Sequence, residues 1–213
     1  MTNIKLSDLR RDYGGQKLDE AQLPESPYLI FESWLAEAIQ QNILDAQCFV
    51  LSTTDESGYP DSRIVLLKEI NKNELIFYTN YSSQKGKQIK SEQHVALNFY
   101  WAALSKQVRI LGTCKKTSRA VSEQYFKTRP LESQISAIIS NQSDQIRDRA
   151  VLETAYKEYK NNHPADITCP ENWGGYAIKP SQFEFFQGHP NRLHDRIRYN
   201  LAKTQWEKQR LAP

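Results

Sequence analysis

Between residues 48 and 116 the chain carries five short runs rich in β-branched and aromatic residues, and this pattern limits the possible folds most. The runs are CFVLSTT, SRIVLLKEI, ELIFYTN, HVALNFYWA and KQVRILGTCKK. Turn-forming segments, DESGYP and NKN, separate the first three. Closely spaced strands with turns between them favour antiparallel pairing over βαβ units. The pattern therefore predicts an antiparallel meander or barrel.

A helix is predicted before these strands, in SPYLIFESWLAEAIQQN. Ser26 suits the N-cap and Pro27 suits the first helical position. Four apolar residues then fall on one helical face: Phe31, Trp34, Leu35 and Ala38.

The rest of the chain completes an α+β pattern. Residues 1–23 are polar and aperiodic, which predicts an N-terminal arm. Residues 118–163 return to helix-forming sequence interrupted by Pro130, and a predicted loop ends with WGG before the strand pattern resumes. Residues 24–213 contain no repeat or linker, so we predict a single domain built on an antiparallel β-barrel with flanking helices.

Composition narrows the classes of function. The net charge of +3 over 213 residues is too small for a dedicated nucleic-acid binder. No apolar run approaches the roughly 18 residues of a membrane span, and the N-terminus lacks the apolar core of a secretory signal. We therefore expect a cytoplasmic protein with reduced thiols and without nucleic-acid or membrane partners. The histidines lack the spacing of metal ligands, so no metal is expected: His94, His163, His189 and His194.

The stretch NRLHDRIRYN places Arg192, His194, Arg196 and Arg198 at alternate positions. On one strand these side chains would share a face. So many cationic groups in a row repel each other, so the pattern predicts an anion as their counterpart. The phenylalanines of the preceding FEFFQG would either stack on a planar ring or pack in the core, and core packing is the commoner fate.

RIVLLK, residues 63–68, has two interpretations. In a strand, Arg63 shares a face with Val65 and Leu67, and Lys68 shares the other with Ile64 and Leu66. The two cations would be either anion contacts or the solvated ends of a core strand, and the pattern alone favours the core strand.

Two further segments offer anion contacts. YTNYSSQKGKQIK runs from a strand end into a helix start, with Ser82 and Ser83 as capping candidates and Lys85 close by. The N–H groups of a helix start suit a phosphate, although an ordinary capped helix fits equally well. YFKTRPLES spaces a phenol, a guanidinium and a hydroxyl four residues apart, which suits a phosphate clamp or an exposed helix end. These are Tyr125, Arg129 and Ser133.

The order of these motifs is more specific than any one of them. LRRDY, RIVLLK, FYTN, SQKGKQI, KQVRI, YFKTRPLESQI, NQS, WGGY, FFQG, RLHDR and the terminal RLAP resemble the pyridoxamine/pyridoxine 5′-phosphate oxidase family from Leu9 to Pro213. The resemblance implies a homodimeric FMN-binding split β-barrel. It implies oxidation of pyridoxine or pyridoxamine 5′-phosphate to pyridoxal 5′-phosphate, with O2 as electron acceptor and hydrogen peroxide as product.

The resemblance also assigns residues. FMN would be held by Arg63, Ile64, Val65, Leu66, Leu67, Lys68, Tyr78, Thr79, Gln84, Lys85, Gln107, Gln142, Ser143, Phe186 and Arg196. The substrate would contact Arg10, Arg11, Asp12, Tyr13, Lys68, Tyr125, Arg129, Ser133, Arg192, Leu193 and His194. Among these, Arg192 would orient the pyridine ring, and His194 would bind its polar edge and assist proton movement near neutral pH. These two are the expected catalytic residues.

Two positions depart from the family pattern. The family usually has arginine at Gln84 and tryptophan at Phe186. Losing the guanidinium would weaken FMN binding by about 1.5–3 kcal/mol unless Lys87 replaces it, and losing the indole removes an N–H donor. We interpret both as changes in FMN affinity.

Three rival functions remain at this point. One is another flavin oxidase on the same barrel, such as an oxidase of phenazine biosynthesis, which would change the substrate clamp. Another is a non-catalytic carrier of FMN or pyridoxal phosphate. The third is a basic barrel that binds RNA, which the modest net charge disfavours.

Overall fold

The structure, a computed structural model, describes Lys5, residues 12–162 and residues 167–213. Its helices are α1 (Pro27–Gln40), α2 (Gln84–Ser91), α3 (Arg119–Thr128), α4 (Leu131–Ile139) and α5 (Arg149–Asn162). Its strands are β1 (Cys48–Thr54), β2 (Pro60–Leu66), β3 (Glu69–Asn71), β4 (Glu74–Asn80), β5 (His94–Trp101), β6 (Lys106–Lys116), β7 (Trp173–Gln187), β8 (Asp195–Ala202) and β9 (Gln205–Leu211). Short 3-10 turns occupy Ala102–Leu104 and Pro190–Arg192.

The nine strands of the described chain belong to one sheet. Its order is β2-β1-β5-β6-β7-β4-β3, and β8 and β9 continue from β7. Strand β4 runs antiparallel to β3 and β7, and β8 runs antiparallel to β7 and β9. The predicted antiparallel sheet with flanking helices is therefore confirmed.

The described residues form two compact units. The first takes its residues from 1–49, 97–110 and 181–213. Its core lies between α1 and the second half of β7, where the rings of Trp34 and Phe185 lie 5.4 Å apart and those of Phe31 and Phe183 lie 6.2 Å apart. Core packing of these two phenylalanines agrees with the commoner fate expected from FEFFQG. The predicted helix is confirmed, with its N-cap at Ser26.

Residues 18–24 lie along β8 and β9 without regular structure of their own. The Leu18 N–H donates to Asp195 at 2.9 Å, and the Tyr199 hydroxyl donates to the Pro24 carbonyl at 2.8 Å. Lys208 donates to the carbonyl oxygens of Glu20 and Leu23. Hydrogen bonds to backbone groups thus attach this part of the predicted arm to the strands.

The second unit takes its residues from 50–96 and 111–180. Its core includes Leu75, Phe77 and Ile178, all fully buried on β4 and the first half of β7. Full burial of one such apolar side chain stabilises a fold by about 1.5–3 kcal/mol. Helices α2 to α5 belong to this unit. No helix within the described ranges is both long and apolar enough to cross a membrane.

The prediction that WGG ends a loop was wrong, because β7 begins at Trp173. A Cβ built on Gly174 would lie 2.2 Å from the Tyr81 hydroxyl and 2.6 Å from Ser122 Oγ. These glycines therefore permit a close approach between β7 and its neighbours rather than a turn. The sequence pattern cannot separate these two uses of glycine.

RIVLLK is not one core strand, and that favoured interpretation is corrected. Strand β2 ends at Leu66, β3 begins at Glu69, and Lys68 lies between them. Strand β2 is at one end of the sheet order and alternates between half-buried and exposed residues. Ile64 is 69% exposed. An edge strand can carry the same apolar residues as a central strand. The alternation of residues along the sequence therefore does not decide which of the two a segment forms.

Candidate functional site

A cavity of about 1200 Å³ lies within the second unit. Residues of β2 and β4, the start of α2, and helices α3 to α5 line it. Thirteen of the predicted binding residues lie on its wall: Arg63, Ile64, Val65, Leu66, Lys68, Tyr78, Thr79, Lys85, Tyr125, Arg129, Ser133, Gln142 and Ser143. The structure therefore brings ten of the fifteen predicted flavin contacts and the whole predicted phosphate clamp to one place.

A buried network holds Arg63 against the cavity wall. Its guanidinium donates to Thr53 Oγ1 and Asp61 Oδ2, each at 2.5 Å, and to Gln88 Oε1 at 3.0 Å. The buried amide of Gln88 also accepts from Thr53 at 2.6 Å and donates to Asp61 at 3.2 Å. Three side chains thus fix one cationic group, and the Asp61 carboxylate partly neutralises it.

Lys85 is the most deeply buried cation of the cavity wall. Its Nζ donates to Gln142 Oε1 at 2.9 Å and to Thr79 Oγ1 at 3.3 Å. Burial, followed by repulsion from Arg63, lowers the pKa of Lys85 to about 8. A dianionic ligand at this point would counteract both effects.

The start of α2 is an ordinary capped helix start. Ser83 is the N-cap and accepts from the Gly86 N–H at 3.3 Å, while the Gln84 N–H donates to Ser143 Oγ at 3.2 Å. A Cβ at Gly86 would lie 2.2 Å from the Tyr81 carbonyl oxygen, so close backbone contact explains this glycine. The Gln84 side chain is exposed and does not line the cavity.

An aromatic stack forms another part of the cavity wall. The rings of Tyr78 and Tyr125 stack at 3.8 Å, and the Trp173 ring lies 5.6 Å from Tyr78. Burial, with a smaller contribution from Glu69, raises the pKa of Tyr78 to about 12. Burial also raises the pKa of Tyr125. Both phenols therefore stay neutral near pH 7 and can donate a hydrogen bond to a ligand.

The Arg129 guanidinium packs on this stack, 4.6 Å from the Trp173 ring. Its Nη1 is buried and has no hydrogen-bond partner in the described part of the chain. Burial lowers the pKa of Arg129. A buried guanidinium nitrogen without an acceptor is costly, so this atom indicates an anionic ligand.

The clamp residues do not share one continuous helix. Helix α3 ends at Thr128, Pro130 is the N-cap of α4, and Arg129 lies between them with an extended backbone. A proline disfavours helical backbone at the residue before it, which explains the break. Tyr125 and Ser133 nevertheless line the same cavity, because α4 begins immediately after the break.

The basic row, which consists of Arg192, His194, Arg196 and Arg198, does not lie on one strand face, and this expectation is corrected. Strand β8 begins at Asp195, whereas Arg192 lies in a 3-10 turn with a left-handed φ of 60°. Arg196 and Arg198 do share a face, and both donate to the buried carboxylate of Glu184 on β7, at 2.7 Å and 3.0 Å. The anion that Arg196 and Arg198 face is therefore the Glu184 side chain.

Several predicted residues belong to the first unit. Gln107 on β6 donates to Asn98 at 2.8 Å, and the Phe186 ring lies 4.9 Å from the His194 ring. The Tyr13 ring packs edge-on against His194 at 5.2 Å. The remaining predicted contacts of this unit are exposed: Asp12, Arg192 and Leu193. Arg10 and Arg11 lie outside the described residues.

Sequence reasoning missed four residues that shape these sites. Trp173 supports Arg129, Asp61 and Gln88 hold Arg63, and Glu184 pairs with arginines on β8. Glu184 was detectable, since it is the one charged residue within FEFFQG. Asp61 was also detectable, since it lies two residues before Arg63 on the same strand. Gln88 and Trp173 carry no local signal, because their partners are distant in sequence. No group of three or more metal-binding side chains occurs in the ranges that the structure describes.

Two family models match the chain. The model described as pyridoxamine 5′-phosphate oxidase matches residues 35–163, and the one described as pyridoxine 5′-phosphate oxidase C-terminal dimerisation region matches residues 173–213. A protein named pyridoxine/pyridoxamine 5′-phosphate oxidase from Legionella pneumophila (strain Paris) is 47% identical over 209 residues, 98% of this chain and 97% of the relative. A protein of the same name from Leptospira interrogans serovar Lai (strain 56601) is 43% identical over 211 residues, 98% and 99% of the two chains.

Two solved structures share the fold. PhzG from Burkholderia lata 383, crystallised with tetrahydrophenazine-1-carboxylic acid, has a TM-score of 0.88 at 24% identity and covers 93% of this chain and 99% of its own. An FMN-binding protein related to pyridoxamine 5′-phosphate oxidase, from Nostoc punctiforme PCC 73102, has a TM-score of 0.72 at 16% identity and covers 90% and 100%. These likenesses confirm the predicted split β-barrel.

Proposed function

The chain belongs to the pyridoxamine 5′-phosphate oxidase family, and from this membership we propose that it oxidises pyridoxine or pyridoxamine 5′-phosphate to pyridoxal 5′-phosphate. Molecular oxygen accepts the electrons and hydrogen peroxide is released. The observation that carries the proposal is the cavity, because it gathers most of the predicted flavin contacts and the predicted phosphate clamp in a chain 47% identical to a protein of that name.

The cavity residues fit FMN. A phosphomonoester carries close to two negative charges at neutral pH, and Arg63 and Lys85 provide two cations beside neutral hydroxyl and amide donors. The exposed apolar side chains of Ile64 and Leu66 suit a flat ring system. When bound, FMN would supply a two-electron acceptor that passes electrons to oxygen.

The clamp of Lys68, Tyr125, Arg129 and Ser133 fits the substrate phosphate. Arg129 Nη1 supports this assignment, because it has no hydrogen-bond partner among the described residues and a phosphate oxygen would satisfy it. Anchoring the phosphate would keep the pyridine ring from sliding and present its reacting carbon in one place. Tyr125 and Ser133 would donate hydroxyl hydrogen bonds to the same group.

From the same family membership, Arg192 and His194 would contact the pyridine ring of the substrate. The Arg192 guanidinium would orient the ring and hold electron density on it during the reaction. The match of residues 173–213 to a dimerisation region supports a homodimer. We propose that the working enzyme is that dimer.

Anaerobic flavin spectra test this function. The chain with added FMN would show a bound oxidised flavin that bleaches on adding pyridoxine 5′-phosphate under nitrogen and recovers in air. Arg129→Leu should retain the flavin but require far more substrate for bleaching. A bound flavin that stays oxidised would favour the carrier, and bleaching only by another reduced substrate would favour a different flavin oxidase on this barrel.

A further inference from the structure

One nitrogen of the His194 ring is already engaged by the protein. Its Nδ1 faces the backbone N–H of His189 at 3.0 Å. A backbone N–H can only donate, so Nδ1 must be the acceptor and carries no proton. In a neutral imidazole the proton then resides on Nε2.

The donor of this hydrogen bond is itself fixed. The His189 side chain is buried, and its Nε2 lies 2.7 Å from Asp195 Oδ2. The same carboxylate oxygen accepts from the Leu18 N–H at 2.9 Å, and the other carboxylate oxygen accepts from Arg210. Contacts with Leu18 and Arg210 thus fix the Asp195 carboxylate, and this carboxylate in turn holds the His189 ring.

The His194 ring has little freedom to turn. The Phe186 ring lies 4.9 Å from it and the Tyr13 ring lies edge-on at 5.2 Å. The loop that carries it is tight, since Asn191 and Arg192 both adopt left-handed backbone angles. Such strain persists only where surrounding contacts determine the conformation.

Protonation of His194 is incompatible with the hydrogen bond between the His189 N–H and Nδ1. An imidazolium carries an N–H at Nδ1, which would face the His189 N–H and break the hydrogen bond. Burial, followed by the charges of Arg192 and His189, also lowers the pKa of His194 below its ordinary value. The neutral form is therefore the one that fits the loop.

We propose that His194 meets the substrate as a neutral imidazole that donates a hydrogen bond from Nε2–H, and that His189 and Asp195 are positioning residues that fix this tautomer. The acceptor would be an oxygen or nitrogen on the polar edge of the phosphorylated pyridine. Since Nε2 already holds its proton, His194 is not the base that removes a substrate proton. The inference deepens the proposed function and rests on it for the substrate.

Nitrogen NMR of the FMN-loaded full chain tests the tautomer without substrate or turnover. With ¹⁵N-labelled histidine, the signals of His194 are those lost in His194→Gln. We expect a protonated, pyrrole-type Nε2 and an unprotonated, pyridine-type Nδ1 at pH 7. The reverse pattern, or an imidazolium at pH 7, would overturn the proposal.

A matched pair of variants tests the role. The glutamine amide nitrogen can occupy the place of Nε2, whereas the shorter asparagine amide reaches only the place of Nδ1. We expect His194→Gln to keep kcat/KM within about tenfold of wild type, the scale of one neutral hydrogen bond, and His194→Asn to lose clearly more. Loss of a general base costs about 10²–10⁴-fold, so equal losses of that size in both variants would contradict a donor role.

The positioning residues are tested by the same NMR signals. Asp195→Asn and His189→Gln retain the polar atoms of their contact, and we expect His194 to keep one tautomer in both. Asp195→Ala and His189→Leu remove the contact, and we expect mixed tautomers. A single unchanged tautomer in whichever of these two variants folds would refute the positioning role. Failure of wild type to bleach its flavin would instead contradict the proposed function and leave the tautomer result standing.

Discussion

At the residue scale, the cations of the cavity differ in how far their charge is compensated. Arg63 faces the Asp61 carboxylate, whereas Lys85 donates to neutral oxygens and Arg129 packs on an aromatic ring. Desolvation without a counter-charge lowers the pKa of both Lys85 and Arg129. These two side chains therefore gain most from an anionic ligand.

Lys85 should make FMN affinity depend on pH. In the ligand-free protein its pKa is about 8, and a bound phosphate would raise that pKa. Binding then takes up a proton above pH 8, so affinity should fall as pH rises through 8, by at most about tenfold per pH unit. Titrations of FMN fluorescence between pH 6.5 and 9.5 would measure this.

Lys85→Arg is the control for that titration. Arginine keeps its charge throughout this range, so the fall in affinity that begins near pH 8 should disappear. The same fall in both proteins would assign the pH dependence to another group.

Gln88 should contribute to the stability of the fold although it is not one of the predicted ligand-binding residues. Gln88→Leu leaves Thr53, Asp61 and Arg63 without one partner each. Buried polar groups left unpaired cost about 1–3 kcal/mol, so the free energy of unfolding in urea should fall by about that amount, and FMN affinity should fall with it. Lys90→Leu, at an exposed position of the same helix, should change neither.

At the element scale, Glu184 connects three strands of the first unit. Its carboxylate pairs with Arg196 and Arg198 on β8 and lies 3.5 Å from Arg109 on β6. It is only 3% exposed. Burial alone would raise its pKa, but the hydrogen bonds and charges of the arginines outweigh that effect and the pKa is lowered.

This carboxylate should contribute to acid sensitivity. A carboxyl with a lowered pKa stabilises the fold above its unfolded pKa, about 4.3, and this stabilisation is lost as pH falls through the folded pKa. Glu184→Gln should therefore lower the free energy of unfolding at pH 7 and flatten its dependence on pH below about 4.3. The exposed Glu207→Gln is the control, and an identical acid profile in both variants would refute the assignment.

Close packing at the start of β7 requires glycine at position 174. In Gly174→Ala the new Cβ would lie 2.2 Å from the Tyr81 hydroxyl, so β7, Tyr81 or Ser122 must move. Overpacking of this kind costs about 1–3 kcal/mol. Thermal unfolding should report that loss, while Gly14→Ala, with nothing within 4 Å, should leave the melting temperature unchanged.

At the scale of the whole molecule, the predicted binding residues fall into two sets. The cavity set belongs to residues 50–96 and 111–180, and the set around Arg192, His194 and Arg196 belongs to the other compact unit. The second set lies in or next to the region that matches a dimerisation model. We therefore expect assembly of the chain to affect the proposed reaction.

Sedimentation equilibrium tests the dimer. We expect a particle of twice 24.7 kDa at micromolar concentration. A particle of 24.7 kDa that still turns over pyridoxine 5′-phosphate would contradict the homodimer and leave the proposed reaction intact.

The sequence by itself determined the class of this fold and thirteen residues of the cavity wall. Turn spacing between β-rich runs predicted the antiparallel sheet, Pro130 marked the break before α4, and the order of motifs predicted thirteen residues that line one cavity. These features are local, or depend on the identity of residues in a fixed order, so they can be read along the chain.

Only the tertiary structure decided which neighbours each group has. It placed Glu184 against the basic row, left Arg129 Nη1 without an acceptor in the described chain, and set the His189 N–H against His194 Nδ1. It also showed that Gly174 permits packing rather than turning. Burial, charge compensation and the tautomer of a histidine depend on distances between residues that are far apart in sequence, or on the path of a strained loop. The pattern of residues along a sequence does not contain these distances.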